Sequence, residues 1–177
     1  MKQKPCPVCN EPFTKQRIGQ KACSPLCAIE LAKEQRHKEA QKAHRERKKR
    51  YLDHDKAYQL KACQSAFNKF IRIRDAHLPC ISCGRHHQGQ YHAGHYRTTK
   101  AAPQLRFNEG NCHKQCQPCN SHLSGNITEY RINLVKKIGI ARVEALENSN
   151  EVKKWTVEEL REIRKYYQQK CKELEAA

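Results

Sequence analysis

Four cysteines in two pairs, Cys80-Ile-Ser-Cys83 and Cys116-Gln-Pro-Cys119, stand 32 residues apart. At that spacing four thiolates can close around one tetrahedral zinc ion and pin together the ends of the segment between them. The enclosed segment carries His92-Ala-Gly-His95-Tyr96 and then Asn108-Glu-Gly-Asn111-Cys-His113, and Asn120 follows the last cysteine. Glu109 is the only carboxylate from 80 to 126. A metal held there for chemistry would therefore be bound by imidazole or amide groups.

That residue set suits phosphodiester hydrolysis. The reaction needs an activated water, relief of charge on the phosphate and stabilisation of the departing oxygen. A histidine serves the first because it titrates near neutrality. One divalent ion serves the other two as a Lewis acid and leaving-group clamp. Two-metal nucleases need several clustered carboxylates, which this segment lacks, so the residues point to one-metal, histidine-based hydrolysis. The competing reading is a zinc finger with no catalysis.

Positioning such a segment is the task of the remaining chain. Upstream, Cys6-Pro-Val-Cys9 and Cys23-Ser-Pro-Leu-Cys27 form a second four-cysteine set for structural zinc, with Lys15, Arg17 and Lys21 in the loop between. It reads equally as a DNA-contacting finger or a purely structural one. From Ala28 to about Arg74 there is no proline or glycine, which predicts one long helix, or two with a break near Asp53-His-Asp55. Between Lys33 and Arg50 nine Lys or Arg face three Glu. This stretch, including Arg45, Arg47, Lys48, Lys49 and Arg50, is either a solvated helix face or a surface that tracks phosphates. Leu60, Cys63, Phe67, Phe70, Ile71 and Arg74 fall at helical spacing and are expected to pack on the central module, with Cys63 a small buried side chain rather than a ligand.

Within the module, Gln90–Arg97 is expected to be a strand, Pro103–Phe107 a second, irregular one, and Cys119–Ser124 the start of a helix, a ββα order. Gly94 suits a close strand approach. Beyond it, Thr128–Lys137 and Val143–Leu146 read as helices. Trp155-Thr156-Val-Glu-Glu159 reads as a capping box before an apolar stripe of Leu160, Ile163, Tyr167, Cys171 and Leu174. The organisation expected is an N-terminal finger (1–30), a basic helical region (31–76), the zinc-stapled module (77–126) and a C-terminal helical region (127–177). The fold class is α+β, mostly α.

Composition agrees with small zinc-held modules rather than one large core: of 177 residues, 37% are hydrophobic and 30% charged. The formal charge is +17, and two four-thiolate zinc sites would still leave about +13. This balance favours a nucleic-acid partner over a membrane surface. Eleven cysteines without an apolar leader argue for metal ligation in a reducing compartment, hence a cytoplasmic protein.

The cysteine pairs around Gly94-His95-Tyr96, Asn111 and Cys119-Asn120 resemble the HNH (ββα-metal, His-Me finger) endonuclease motif in its zinc-stapled form. More narrowly, His92-Ala-Gly-His95-Tyr-Arg97, Leu105-Arg-Phe-Asn108, Asn111-Cys-His-Lys-Gln-Cys116 and Ser124-Gly-Asn126 resemble the phage lambda NinG (Rap) recombination endonucleases, and the similarity covers the whole chain. That resemblance implies a nuclease of branched recombination intermediates, such as Holliday junctions and D-loops, in a phage-infected or lysogenic bacterial host. It makes His95 the general base, Asn120 a ligand of a catalytic Mg²⁺ or Mn²⁺, and Asn111 the residue that orients the loop or the base. HNH proteins often carry Asp or His where this chain has Gly94, and NinG-like chains often carry Asp at the place of His92, so His92 is the candidate second ligand. His113 is a further candidate, near the phosphate or as a structural histidine, and His86 and His87 receive no role. Arg97, Lys100, Arg106 and Lys114 are expected to grip phosphates. A non-catalytic DNA-binding accessory protein and an HNH nuclease of linear duplex remain the alternatives. Symmetric cutting of a four-way junction implies a homodimer, with the C-terminal stripe or the basic helix as interface, and phage recombination proteins as further partners.

Overall fold

The computed structural model describes residues 3–176. Its contacts gather into two compact units that divide between Asp53 and His54. In the first, a two-residue ladder of β1 (Lys4–Pro5) and β2 (Pro12–Phe13) carries the first cysteine pair, and α1 (Pro25–His54) begins within the second. No residue of α1 is buried. A helix of that length with no apolar face is held by its own backbone bonds and by Glu–Lys pairs such as Glu34–Lys38 at 2.6 Å.

The second unit opens with α2 (Lys56–Arg74), separated from α1 by Asp55. The Asp55 carboxylate accepts a hydrogen bond from the Tyr58 N–H, so the expected break is an N-cap. β3 (Tyr91–His95) and β4 (Cys112–Cys116) form an antiparallel pair in which His92 faces Gln115, Gly94 faces His113 and His95 faces Cys112. Two short elements depart from expectation. Pro103–Leu105 is a 3-10 turn and the second strand lies at β4 instead, because Pro103 supplies no ladder donor. After β4, Pro118–His122 makes a single π-helical turn, so the predicted helix of the ββα order is reduced to five residues. Ser124 and Asn126, both at positive φ, bring it to an end. Then α3 (Ile127–Ile138), α4 (Ile140–Asn148) and α5 (Val157–Ala176) follow, with Gly139 at φ +85° between α3 and α4. The capping box is present: Thr156 N–H donates to Glu159 and Glu159 N–H to the Thr156 hydroxyl.

Two apolar cores hold this unit. Cys63, Phe67, Phe70 and Ile71 of α2 pack with Leu160, Tyr167 and Cys171 of α5 and with Cys112. Tyr96, Leu105, Tyr130, Leu134, Val143 and Leu146 form the other on the far side of the hairpin. The stripe of α5 is thus packed against α2 of the same chain, except for half-exposed Leu174. Cys63 is buried within the first core, as expected for a non-ligand. No helix among the described residues is long and apolar enough to cross a membrane.

Candidate active site and metal centres

Both cysteine tetrads close. The Sγ atoms of Cys6, Cys9, Cys23 and Cys27 lie within 4.8 Å of one another, as do those of Cys80, Cys83, Cys116 and Cys119. Four sulfurs at about 2.3 Å around a tetrahedral zinc are about 3.8 Å apart. The separations Cys9–Cys23 (3.5 Å), Cys23–Cys27 (3.6 Å) and Cys83–Cys116 (4.0 Å) bracket that value. An all-thiolate donor set of this size fits zinc and could hold one ion in each tetrad. The Cys116 N–H donates to Cys80 Sγ at 3.3 Å, stabilising a thiolate. His87, given no role from sequence, lies with Nε2 3.2 Å from Cys83 Sγ, where its N–H can support that thiolate in the same way.

His95 ends β3 on the face that packs against α2. Its Nε2 is 2.9 Å from the Arg106 carbonyl, an atom that can only accept, so Nε2 carries the hydrogen and Nδ1 keeps its lone pair. Nδ1 lies 3.7 Å from the Cys112 sulfur, and Phe67 flanks the ring at 6.1 Å between centroids. Burial pushes the imidazole below its ordinary value and the Arg106 charge adds to that, against the opposing carbonyl bond. The ring is therefore neutral at pH 7.

His92, three residues earlier, lies on the opposite face with Gly94, by the alternation of the strand. Its Nδ1 is 3.3 Å from the Asn120 amide, and its buried Nε2 has no partner. The structure thus brings His92 and Asn120 together. No third His, Cys, Asp or Glu joins them in a ligand cluster among the described residues. Gly94 has a steric reason: a Cβ there would stand 2.0 Å from Gln115 Oε1. That side chain is committed through its amide nitrogen to Ser82 Oγ and the Gly125 carbonyl, both at 2.6 Å.

Asn111 is fully buried and clamps the loop after β3. It accepts from the Arg97 N–H and donates to the Arg97 and Leu105 carbonyls. The 97–105 loop precedes Arg106, whose carbonyl orients His95, so Asn111 positions the His95 ring indirectly. His113 is structural: Arg74 Nη2, which only donates, lies 2.9 Å from Nδ1, and Nε2 lies 3.2 Å from the Gly110 carbonyl. Beneath it sits Asp75, 2% exposed, bound by Arg74, the Lys114 N–H and Lys137. Burial alone would raise this carboxyl. Contact with His113, Arg74 and the Lys114 amide outweighs burial and holds it well below the usual range. Nothing in the sequence marks Asp75 as a hub.

The expected phosphate cations divide. Arg97 donates to the carbonyls of Leu146, Glu147 and Ser149, capping α4 rather than facing DNA. Lys114 is 6% exposed, with Nζ 2.7 Å from the Ala76 carbonyl and 4.4 Å from the Tyr91 ring centre, so it too is spent internally. Lys100 is exposed, and so are Arg45, Arg47, Lys48, Lys49 and Arg50 on α1. Arg106 is half-buried, donating to Gln64 and the Thr99 carbonyl.

Sequence comparison bears on this geometry. The family profile described as "Bacteriophage Lambda NinG protein" matches residues 1–176. Protein ninG of Salmonella phage P22 is 46% identical over 94% of this chain and 90% of its own length. The same-named protein of Escherichia phage lambda is 45% identical over 94% and 89%. That of Escherichia phage 933W is 44% identical over 96% and 92%. No solved structure is significantly similar.

Proposed function

The chain belongs to the bacteriophage lambda NinG family, and from that premise we propose that it is a divalent-metal-dependent DNA endonuclease of the HNH type acting on branched recombination intermediates. The observation that carries the proposal is the state of His95. Its ring is neutral and held by the Arg106 carbonyl through Nε2, so Nδ1 is the acceptor nitrogen; it faces the Cys112 thiol at 3.7 Å, a weak contact that the attacking water would replace. Asn111 supports this by fixing the loop that leads to Arg106.

His92 and Asn120 are the residues that would hold the catalytic Mg²⁺ or Mn²⁺: with the Asn120 amide turned so that its oxygen faces the ion, His92 Nδ1, 3.3 Å from that amide, can offer its lone pair beside it. When bound, that ion supplies Lewis acidity to the phosphate and charge compensation to the leaving oxygen. His95 and the His92–Asn120 pair lie on opposite faces of β3. Among the described residues that strand pairs with β4 and no other strand, and a phosphate laid along its other edge could be approached from both faces. Two cysteine tetrads that could hold zinc and a strongly basic chain fit a nucleic-acid substrate. Symmetric cutting of a junction calls for two copies of the chain.

A second reading, a DNA-binding accessory protein without catalysis, draws on the small ligand set and the divided faces. The test is cleavage of a labelled four-way junction beside a linear duplex of matched sequence, with Mg²⁺, with Mn²⁺ and with neither, by wild type and His95→Ala. Metal-dependent cutting of the junction alone, lost in His95→Ala with binding retained, is the expected result. Equal cutting of both substrates removes the branch selectivity. Tight binding without cutting under any condition supports the accessory reading.

A further inference from the structure

The outer face of α2 forms a groove of about 490 Å³ with Arg106, lined by Lys61, Gln64, Ser65, Asn68 and Arg72. These α2 positions recur at intervals of three and four and so share one helix face. The helix contains no Asp or Glu. Two of its cations that face away from the groove are neutralised, Lys69 by Glu175 at 2.7 Å and Arg74 by Asp75 at 2.8 Å. Lys61 and Arg72, in the groove, have no carboxylate partner among the described residues.

The polar groups between them are ordered in one direction. Arg106 Nη1 donates to Gln64 Oε1 at 3.1 Å, and Gln64 Nε2 donates to Asn68 Oδ1 at 2.8 Å. Both amide oxygens are thereby used, and the Asn68 amide nitrogen remains as a donor. The groove presents two unpaired cations, an amide donor and a hydroxyl, which is the complement of an anion with several oxygens. From Lys61 to Arg72 the helix rises about 16 Å, long enough to follow several phosphates of one strand. The far wall leads to the chemistry, because the same Arg106 whose side chain closes the groove holds His95 through its carbonyl.

We propose that this groove binds the sugar–phosphate backbone of the DNA strand that His95 attacks. The binding half of the inference stands alone, and the delivery half rests on the nuclease reading. Lys61 and Arg72 are both exposed, so neutralising them leaves the fold intact. The experiment measures the affinity of the full chain for a labelled four-way junction as salt is varied, without Mg²⁺ or Mn²⁺. Wild type is compared with Lys61→Gln/Arg72→Gln and with a control that removes two exposed α5 cations, Lys165→Gln/Lys172→Gln.

The expected result is a salt slope shallower by about two phosphate contacts in the groove variant, with affinity down roughly 10-fold or more, and no change in the control. Cleavage by the groove variant should fall with binding at low DNA concentration and recover at saturation. An unchanged slope and affinity in the groove variant, or equal losses in groove variant and control, overturns the proposal. If wild type binds through the groove but never cuts, the nuclease reading fails and the binding site stands. If wild type cuts and the groove variant binds as tightly, the groove fails and the nuclease reading stands.

Discussion

Asp75 is a position outside the cysteine tetrads where a single substitution should destabilise the second unit strongly. Asp75→Ala removes a 2%-exposed carboxylate that receives Arg74 Nε at 2.9 Å, Arg74 Nη2 at 2.8 Å and the Lys114 N–H at 3.0 Å, with Lys137 Nζ 3.4 Å away. Breaking a buried ion pair by deleting one partner costs about 3–5 kcal/mol, because the other charge is stranded. Here the Arg74 and Lys137 side chains keep 23% and 31% of their exposure, and water recovers part of that loss. The lower end applies: about 3 kcal/mol, or a fall in Tm of roughly 6–12 °C for a chain of this size. Urea titration of zinc-loaded protein at pH 7 reads it as a lower midpoint at constant slope. The folded-state carboxyl is held well below the unfolded Asp value of about 3.9, so the wild-type advantage is complete above about pH 5 and shrinks as pH falls below that. The double variant Arg74→Met/Asp75→Leu should lose less than the two single changes added together. A cost under about 1 kcal/mol for Asp75→Ala, or full additivity in the double variant, would refute the hub argument.

Metal analysis should find two zinc ions per chain in wild type and one in either Cys6→Ser or Cys80→Ser. Cys80→Ser alone should lose the near-ultraviolet signal of Trp155, which packs on Phe107 at 5.1 Å in the second unit. Gly94→Ala places a Cβ against Gln115 and should cost about 2–3 kcal/mol in the same urea titration, since that amide must leave Ser82 and the Gly125 carbonyl. A neutral result would mean Gln115 can move freely. If His95 is the base, burial keeps it unprotonated below the ordinary histidine value of about 6.5. The acid limb of kcat/KM on junction DNA should then lie under pH 6.5, and a limb above pH 7 excludes His95 as the titrating group.

Much of the local structure was legible from residue order. The cysteine pairs announced two tetrads because ligand spacing is a short-range property, and both close. Asp55 marked the helix break, Thr156 and Glu159 the capping box, and the stripe from Cys63 to Ile71 a buried face, each through interactions within a turn or two. The hairpin partner of β3 was misplaced to 103–107, since ladder pairing at long separation leaves no periodic trace in one irregular segment.

By itself, then, the sequence determined which donors could meet around zinc, where helices start and stop, and that the chain carries a formal charge of +17. What each cation and histidine does was decided only by tertiary structure. Arg97 met three carbonyls some fifty positions away through Nη1, Lys114 met Ala76, and His113 met Arg74, so these donors and acceptors are engaged within the fold. Lys61 and Arg72 met no carboxylate among the described residues and line a groove that residue order did not reveal. The reason is physical: a side chain's donors are fixed by its type, but whether they are already satisfied depends on acceptors that only the folded chain brings within 3 Å.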